Sequence, residues 1–164
     1  MKIVVTGGRK YGKMPDWNGG KPLIPDGYYI NTDGEKEYVD KENPDYIDAA
    51  RKAGFERGKL YSTLDHWLEQ DPGLVLGMGD ARGADLWALR WAEEKGVPHK
   101  VFEADWGGLG KAAGPIRNRK MLEEFKPDLV LAFHDDLSAS KGTRDMVQIA
   151  RKAGVPVRVY GARA

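Results

Sequence analysis

The hydrophobic positions of the chain fall into five short runs that predict buried β-strands. The runs are nearly continuous rather than alternating, which is typical of strands covered on both faces of a sheet. They span residues 2–6, 74–78, 99–102, 128–133 and 155–160. Glycine or polar residues follow the first, second and fourth runs, so we expect loops there.

Between these runs, apolar residues recur every three or four positions, which predicts amphipathic helices. The predicted helices span residues 59–70, 84–95, 116–125 and 143–153. Two of them lead into the next strand in the same way, through Gly96-Val97-Pro98 and Gly154-Val155-Pro156. A glycine there ends the helix and the proline begins an extended segment. This alternation predicts an α/β fold whose right-handed crossovers bring the carboxyl ends of the strands to one edge.

Residues 10–57 interrupt the alternation and are predicted to form a polar insertion after the first strand. Residues 28–39 predict a β-hairpin that turns at Asp33-Gly34. Residues 44–53 predict a short helix that ends at Gly54. The insertion then lies at the carboxyl edge of the sheet, and two interpretations stay open. It is either a lid over a site, or a surface decoration or dimer arm.

Length and composition exclude several classes of protein. A chain of 164 residues predicts one domain, residues 1–164. The absence of cysteine excludes disulfides and thiolate chemistry. With 26 basic and 25 acidic residues, the net charge of +1 gives no bulk attraction for nucleic acid. The apolar run at the N-terminus is too short for a signal peptide or a membrane span, so we expect a cytoplasmic protein without a membrane partner.

Glycine makes up 21 of the 164 residues, about 13% against a usual ~7%, and it clusters where strands end. In the first such loop, Gly7 and Gly8 let backbone amides approach an anion, and Arg9 adds donors. The second loop, residues 77–83, leads into a helix but lacks the dinucleotide-binding spacing, so no nicotinamide or flavin cofactor is expected. Asp85 follows it and either caps that helix or faces the site.

Two further helix starts carry candidate anion-binding residues. A helix beginning at Pro115 would place Arg117 and Asn118 in its first turn. Cations there oppose the helix dipole, and a bound anion would relieve that conflict. The last helix opens at Gly142-Thr143, where Thr143 either binds phosphate or caps the helix.

Two aromatic or imidazole side chains have competing interpretations. His134, followed by Asp135 and Asp136, suits a metal ligand or a base, but a turn built on aspartate is favoured, so no metal is expected. Trp106 follows the third strand and either stacks on a base or packs within its loop.

Taken together, these motifs resemble a known family. They lie in order at residues 5–9, 79–85, 104–106, 113–121 and 142–146. The series closely resembles the YspA-like, cpYpsA-related branch of the SLOG superfamily, which contains the LONELY GUY enzymes and DNA-processing protein A. The resemblance covers residues 1–9 and about 58–160 but not the insertion. It implies a Rossmann-like three-layer sandwich with a mainly parallel five-stranded sheet, and a nucleotide or nucleotide-derived ligand at the carboxyl edge.

The loops and the resemblance together give the expected ligand-binding and phosphate-binding residues. They are Gly7, Gly8, Arg9, Gly79, Asp80, Ala81, Arg82, Gly83, Trp106, Arg117, Asn118, Lys141, Gly142 and Thr143.

The LONELY GUY enzymes cleave the N-glycosidic bond of nucleoside monophosphates with an arginine and a glutamate. Met146 stands where that glutamate would be, and a methionine can neither stabilise an oxocarbenium ion nor activate water. The resemblance therefore implies phosphate binding more firmly than hydrolysis. If the chain is a hydrolase, the carboxylate that acts at the anomeric carbon is Asp80, a residue of the insertion, or an aspartate of the expected catalytic set. That set is Asp85, Asp105, Arg117 and Asp145.

Three functions follow from this pattern. The first is a protein that senses or sequesters a nucleotide derivative. The second is an N-glycosidase or phosphoribohydrolase acting on a nucleoside monophosphate. The third, a module that binds single-stranded DNA, is disfavoured because the chain is nearly neutral and has no basic aromatic stripe. A homodimer is also expected if Trp87 and Trp91 pair across a two-fold axis, the alternative being that both are buried within one chain.

Overall fold

The computed structural model describes residues 1–12, 28–30, 36–38, 44–134, 137 and 140–161. Its centre is a five-stranded sheet in the order β5-β4-β1-β6-β7, in which every neighbouring pair is parallel. The strands are β1 (Lys2–Gly7), β4 (Val75–Gly79), β5 (His99–Phe102), β6 (Leu129–Phe133) and β7 (Val157–Tyr160). This all-parallel sheet confirms the predicted α/β fold.

Helices cover both faces of the sheet and complete a three-layer, Rossmann-like sandwich. They are α1 (Pro44–Gln70), α2 (Ala84–Lys95), α3 (Trp106–Leu109), α4 (Ala113–Lys120) and α5 (Lys141–Lys152). A 3₁₀ turn, Gly110–Ala112, joins α3 to α4, and a π-helical turn, Met121–Phe125, extends α4. The sequence pattern predicted neither α3 nor the 3₁₀ turn.

The predicted helix end at Gly54 is wrong. The chain continues as one helix, α1, of 27 residues, which joins the predicted short helix to the one predicted at residues 59–70. A glycine inside a helix costs only about 1 kcal/mol relative to alanine. The buried side chains of Leu60 and Leu64, about two and three turns further along α1, anchor it against the sheet and offset that cost.

Alternate residues of the strands supply two apolar cores. Ile3 and Val5 of β1 pack toward α1 and α2, whereas Val4 packs toward α4 and α5. Trp87 and Trp91 belong to the first core, where they are 6% and 0% exposed. The interpretation that they pair across a two-fold axis is therefore wrong, because burial within one chain leaves them no free surface. The homodimer stays a prediction without this support.

Part of the insertion is described. The strands β2 (Tyr28–Ile30) and β3 (Lys36–Tyr38) pair antiparallel, as the predicted hairpin requires. Its turn at Asp33-Gly34 lies outside the described residues. Whether the insertion is a lid or a surface decoration stays a prediction.

Within the described ranges, no helix combines the length and the apolar composition that crossing a bilayer requires.

Candidate functional site

A cavity of about 560 Å³ opens at the carboxyl edge of the sheet, and its volume suits a small-molecule site. Loops that follow β1, β4, β5 and β6 border it. The chain leaves β1 for β4 on one side and later adds β6 on the other, so the cavity lies at the topological switch point. Its lining comprises Thr6, Gly7, Gly8, Arg9, Lys10, Tyr11, Lys52, Glu56, Ala81, Asp85, Trp106, Gly114, Arg117, Asn118, His134, Ser140, Lys141, Gly142 and Thr143.

The loop after β1 has backbone amides that make no hydrogen bond to the described residues, but the amide of Gly8 is not one of them. The amide of Gly8 donates to the carbonyl of Phe133 at 3.0 Å, so it is already used. A Cβ at Gly8 would lie 2.8 Å from the His134 ring, and Gly8 thus contributes space. The amides of Arg9 and Lys10 have no acceptor within the described part of the chain. They, rather than Gly8, are the donors that this loop can offer to an anion.

The start of α5 supplies a second pair of amides. Ser140 caps this helix, because its Oγ accepts from the Thr143 amide at 3.4 Å and donates to Thr143 Oγ1 at 2.9 Å. Lys141 and Gly142 occupy the first two helical positions, where a backbone amide has no acceptor within the helix. Both residues line the cavity. This end of α5 also carries the positive end of the helix dipole and is suited to an anion.

Arg117 reaches the cavity in a different way from the one predicted. The helix α4 begins at Ala113, so Arg117 lies beyond its first turn and the argument from the helix dipole fails. Its Nη1 donates to Asp80 Oδ1 at 3.0 Å and to the Phe102 carbonyl at 3.3 Å, and its Nε donates to Asn118 Oδ1 at 3.0 Å. These bonds hold the guanidinium in place. No hydrogen bond to the described residues uses Nη2, which leaves its two donors available to a ligand.

Asn118 positions other groups rather than offering its own donors to a ligand. Its side chain is 3% exposed, and Nδ2 donates to the Gly142 carbonyl at 3.2 Å and to Asp145 Oδ2 at 3.1 Å. Both amide hydrogens are thus used, while Oδ1 accepts from Arg117. Asn118 therefore ties Arg117 on α4 to the start of α5.

Asp85 is a buried carboxyl group beside Arg117. It is 5% exposed, and its Oδ2 accepts from the Ala81 amide at 3.2 Å. Burial raises the pKa of Asp85 to about 7, although the nearby Arg117 guanidinium opposes that shift. It does not cap α2, whose start at Gly83 has no side-chain cap. A Cβ at Gly79 would collide with both Arg117 and Asp85, so the glycine leaves room for this pair.

Six predicted site residues do not line the cavity. Gly83 acts from behind it, because its φ of 74° suits glycine and a Cβ there would collide with the Gly8 carbonyl. Asp105 is exposed and accepts from the Gly108 amide at 2.9 Å as the cap of α3. Arg82 is exposed. The other three act on residues that do line it. Asp80 accepts a hydrogen bond from Arg117, Asp145 accepts one from Asn118, and Gly79 leaves room for Arg117.

Glu56, which the sequence pattern did not point to, is a carboxylate that lines the cavity and is 6% exposed. Together with Ala53, Leu60 and Leu64 it forms the buried stripe of α1. An acidic residue within an apolar stripe is a recognisable signal, but it is visible only when the helix is followed through Gly54. The other missed lining residues include Lys10, Lys52 and Ser140.

The cavity is electropositive, and the described residues offer no metal site. Five cationic side chains line it, namely Arg9, Lys10, Lys52, Arg117 and Lys141, against the two carboxyl groups of Glu56 and Asp85. No group of three potential metal ligands comes together among the described residues. His134 lines the cavity, whereas Asp135 and Asp136 lie outside the described part.

Comparisons with known proteins identify the family. The model of the YspA, cpYpsA-related SLOG family matches residues 1–107. The Gene 61 protein of Mycobacterium phage D29 is 40% identical over 112 residues, which cover 65% of this chain and 87% of that protein. No solved structure matches significantly. The family match runs through the insertion, which the resemblance had left out, and ends before the motifs at residues 113–121 and 142–146. The chain therefore belongs to the YspA, cpYpsA-related SLOG family.

Proposed function

We propose that this protein binds a nucleotide or nucleotide-derived ligand, as a sensor or sequestering protein, with the ligand's phosphate at the carboxyl edge of the sheet. One observation carries the proposal. Residues from two separate loops whose amides make no hydrogen bond to the described residues line one cavity, together with an excess of cationic side chains. Membership of the SLOG family supports a nucleotide-related ligand.

The phosphate is expected between the loop after β1 and the start of α5. The amides of Arg9 and Lys10 come from one side, and those of Lys141 and Gly142 come from the other. Backbone amides at a helix start bind phosphate through both hydrogen bonds and the helix dipole. The two Nη2 donors of Arg117 add a charge-assisted pair.

Binding without turnover is favoured because the site lacks the hydrolase glutamate. Met146, which stands in its place, is 0% exposed and packs in the core with Val4 and Phe125. Two other candidate carboxylates are engaged elsewhere, Asp105 as the cap of α3 and Asp145 as the partner of Asn118.

A binding screen tests this proposal. The purified protein is incubated with pooled nucleoside mono-, di- and cyclic phosphates, and bound species are identified by mass spectrometry. We expect one nucleotide to be retained intact. Arg117→Ala should reduce its retention roughly 10-fold or more, since hydrogen bonds to charged groups contribute about 1.5–3 kcal/mol.

Arg119→Ala is the matched control, because Arg119 is exposed on the same helix and does not line the cavity. It should retain the ligand like the wild type. Failure of the wild-type protein to retain any nucleotide would overturn the proposed function. Equal retention by the Arg117 and Arg119 variants would overturn the assignment of the site.

Asp85 supports a second candidate function, hydrolysis of a nucleoside monophosphate to a free base and ribose 5-phosphate. With a pKa of about 7, this carboxyl group exists in both protonation states near neutral pH. It can therefore donate a proton to a departing base or accept one from the attacking water. Glu56 is the other buried carboxylate at the cavity.

Product analysis separates the two functions. Under hydrolysis, the wild type releases free base and ribose 5-phosphate, and Asp85→Asn abolishes release while ligand retention persists. Glu56→Gln tests the second carboxylate in the same assay. A ligand recovered intact from the wild type after prolonged incubation would contradict hydrolysis and leave binding as the function.

A further inference from the structure

Trp106 has an unusual combination of exposure and position. Its side chain is 44% exposed, yet it lines the cavity. Trp87 and Trp91, by contrast, are 6% and 0% exposed. A tryptophan left this open forgoes much of the free energy that its burial would contribute. The ring therefore offers an apolar face to whatever occupies the cavity.

The surroundings of Trp106 make room for its ring and position its backbone. The ring lies against Gly114, where a Cβ would come within 3.2 Å of its Cη2 atom. Asp105 immediately precedes it and caps α3 through the Gly108 amide. The missing side chain at Gly114 leaves room for the ring, and the cap at Asp105 holds the start of the helix that carries it.

The ring already carries a flat cationic group. The guanidinium carbon of Arg9 lies 5.1 Å from the ring centroid, within the range of a cation–π contact. Arg9 makes no hydrogen bond within the described residues, and its other interaction there is electrostatic, with Asp85. Its guanidinium is thus weakly held and can leave the ring when a competing planar group arrives.

We propose that the base of the bound nucleotide stacks on Trp106 in the place of the Arg9 guanidinium, which then turns toward the ligand's phosphate. This inference rests on the proposed function and deepens it. It makes the ligand a nucleotide with an intact planar base, rather than a sugar phosphate or inorganic phosphate.

The segment around Trp106 favours a base over a sugar. Residues 106–113 contain Lys111 as their one polar side chain and are otherwise glycine, alanine, leucine and the tryptophan itself. Of these residues only Trp106 lines the cavity, and its aromatic face is a surface on which a planar base can stack. Because every base has such a face, Trp106 contributes affinity for the base without selecting strongly among bases.

Calorimetric titration with two kinds of probe tests this inference. The four common nucleoside monophosphates carry a base and a phosphate, and ribose 5-phosphate carries the phosphate and sugar alone. We expect the wild type to bind the nucleotides roughly 5- to 150-fold more tightly than ribose 5-phosphate. This ratio corresponds to the about 1–3 kcal/mol that a base loses when its stacking aromatic residue is replaced by alanine. Trp106→Ala should lose this difference and keep its affinity for ribose 5-phosphate, whereas Trp106→Phe should keep much of the difference.

Phe55→Ala is the matched control, because Phe55 is an aromatic residue 56% exposed on α1 that does not line the cavity. It should change neither affinity. Equal wild-type affinities for nucleotides and ribose 5-phosphate would overturn the stacking inference but leave the phosphate site intact. An equal loss of both affinities in Trp106→Ala would also overturn it. A wild type that binds none of the probes would overturn the proposed function, and the inference with it.

Discussion

At the residue scale, the buried carboxyl group of Asp85 lies in the field of the Arg117 guanidinium, whose own salt bridge is to Asp80 at 3.0 Å. Burial disfavours the ionised carboxylate and raises the pKa of Asp85 to about 7, while Arg117 limits the rise. The glycine at position 79 makes room for both groups. The sequence could place both residues at the carboxyl edge of the sheet, but their proximity depends on how α4 packs, which no local pattern encodes.

The raised pKa of Asp85 predicts a pH-dependent stability. The folded protein holds this proton up to about pH 7, whereas the unfolded chain releases it near 3.8. The stabilisation that this bound proton contributes is fully present below the unfolded-state pKa and is lost as the pH rises through the folded-state pKa. The loss in the free energy of unfolding is about 4 kcal/mol. Relative to the wild type, Asp85→Asn should therefore gain stability between about pH 4 and about pH 8. Urea unfolding across this range measures the gain, and a constant difference between the two proteins would contradict it.

At the element scale, α1 shows how tertiary packing overrides a local helix-ending signal. Gly54 predicted an end, yet the helix runs through Gly54 and Gly58 because its buried stripe continues on both sides. A Cβ at either glycine would meet nothing within 4 Å. The same continuity carries Glu56 to the cavity, whereas a helix that ended at Gly54 would not place it there.

The continuity of α1 predicts that alanine is tolerated at these glycines. Gly58→Ala should raise the free energy of unfolding by about 0.5–1 kcal/mol, because alanine loses less conformational entropy in a helix. Gly83→Ala is the contrasting variant and should destabilise the protein, since Gly83 has a φ of 74° and contacts Gly8. Chemical denaturation measures both effects. A loss of stability in Gly58→Ala would indicate that α1 breaks there.

Asn118 links two elements, and its hydrogen bonds predict a rescue experiment. Asn118→Asp replaces two donors with acceptors that face the Gly142 carbonyl and Asp145. We expect it to destabilise the protein by about 1–3 kcal/mol and to weaken phosphate binding. Adding Asp145→Asn returns a donor to the pair and should recover part of both losses. If the double variant equals the sum of the two single variants in stability and binding, the proposed link is absent.

At the scale of the whole molecule, the parallel sheet explains why distant segments meet in one site. The sequence could predict the five strands and the loops at their ends, because buried runs and glycine punctuation are local signals. It could not predict which amides remain unused. Gly8 looked like an anion-binding residue, yet its amide pairs with Phe133 of a neighbouring strand, and only the assembled sheet reveals that bond.

We propose that phosphate binds where the loop after β1 meets the start of α5, and an NMR titration of the ¹⁵N-labelled protein tests this placement. With a nucleoside monophosphate or ribose 5-phosphate, the amides of Arg9, Lys10, Lys141 and Gly142 should show the largest shifts among the assigned amides. The matching nucleoside, which lacks phosphate, should leave the amides of Lys141 and Gly142 at the start of α5 nearly unchanged. Shifts confined to other regions, or equal shifts of the α5 amides with and without phosphate, would contradict this placement.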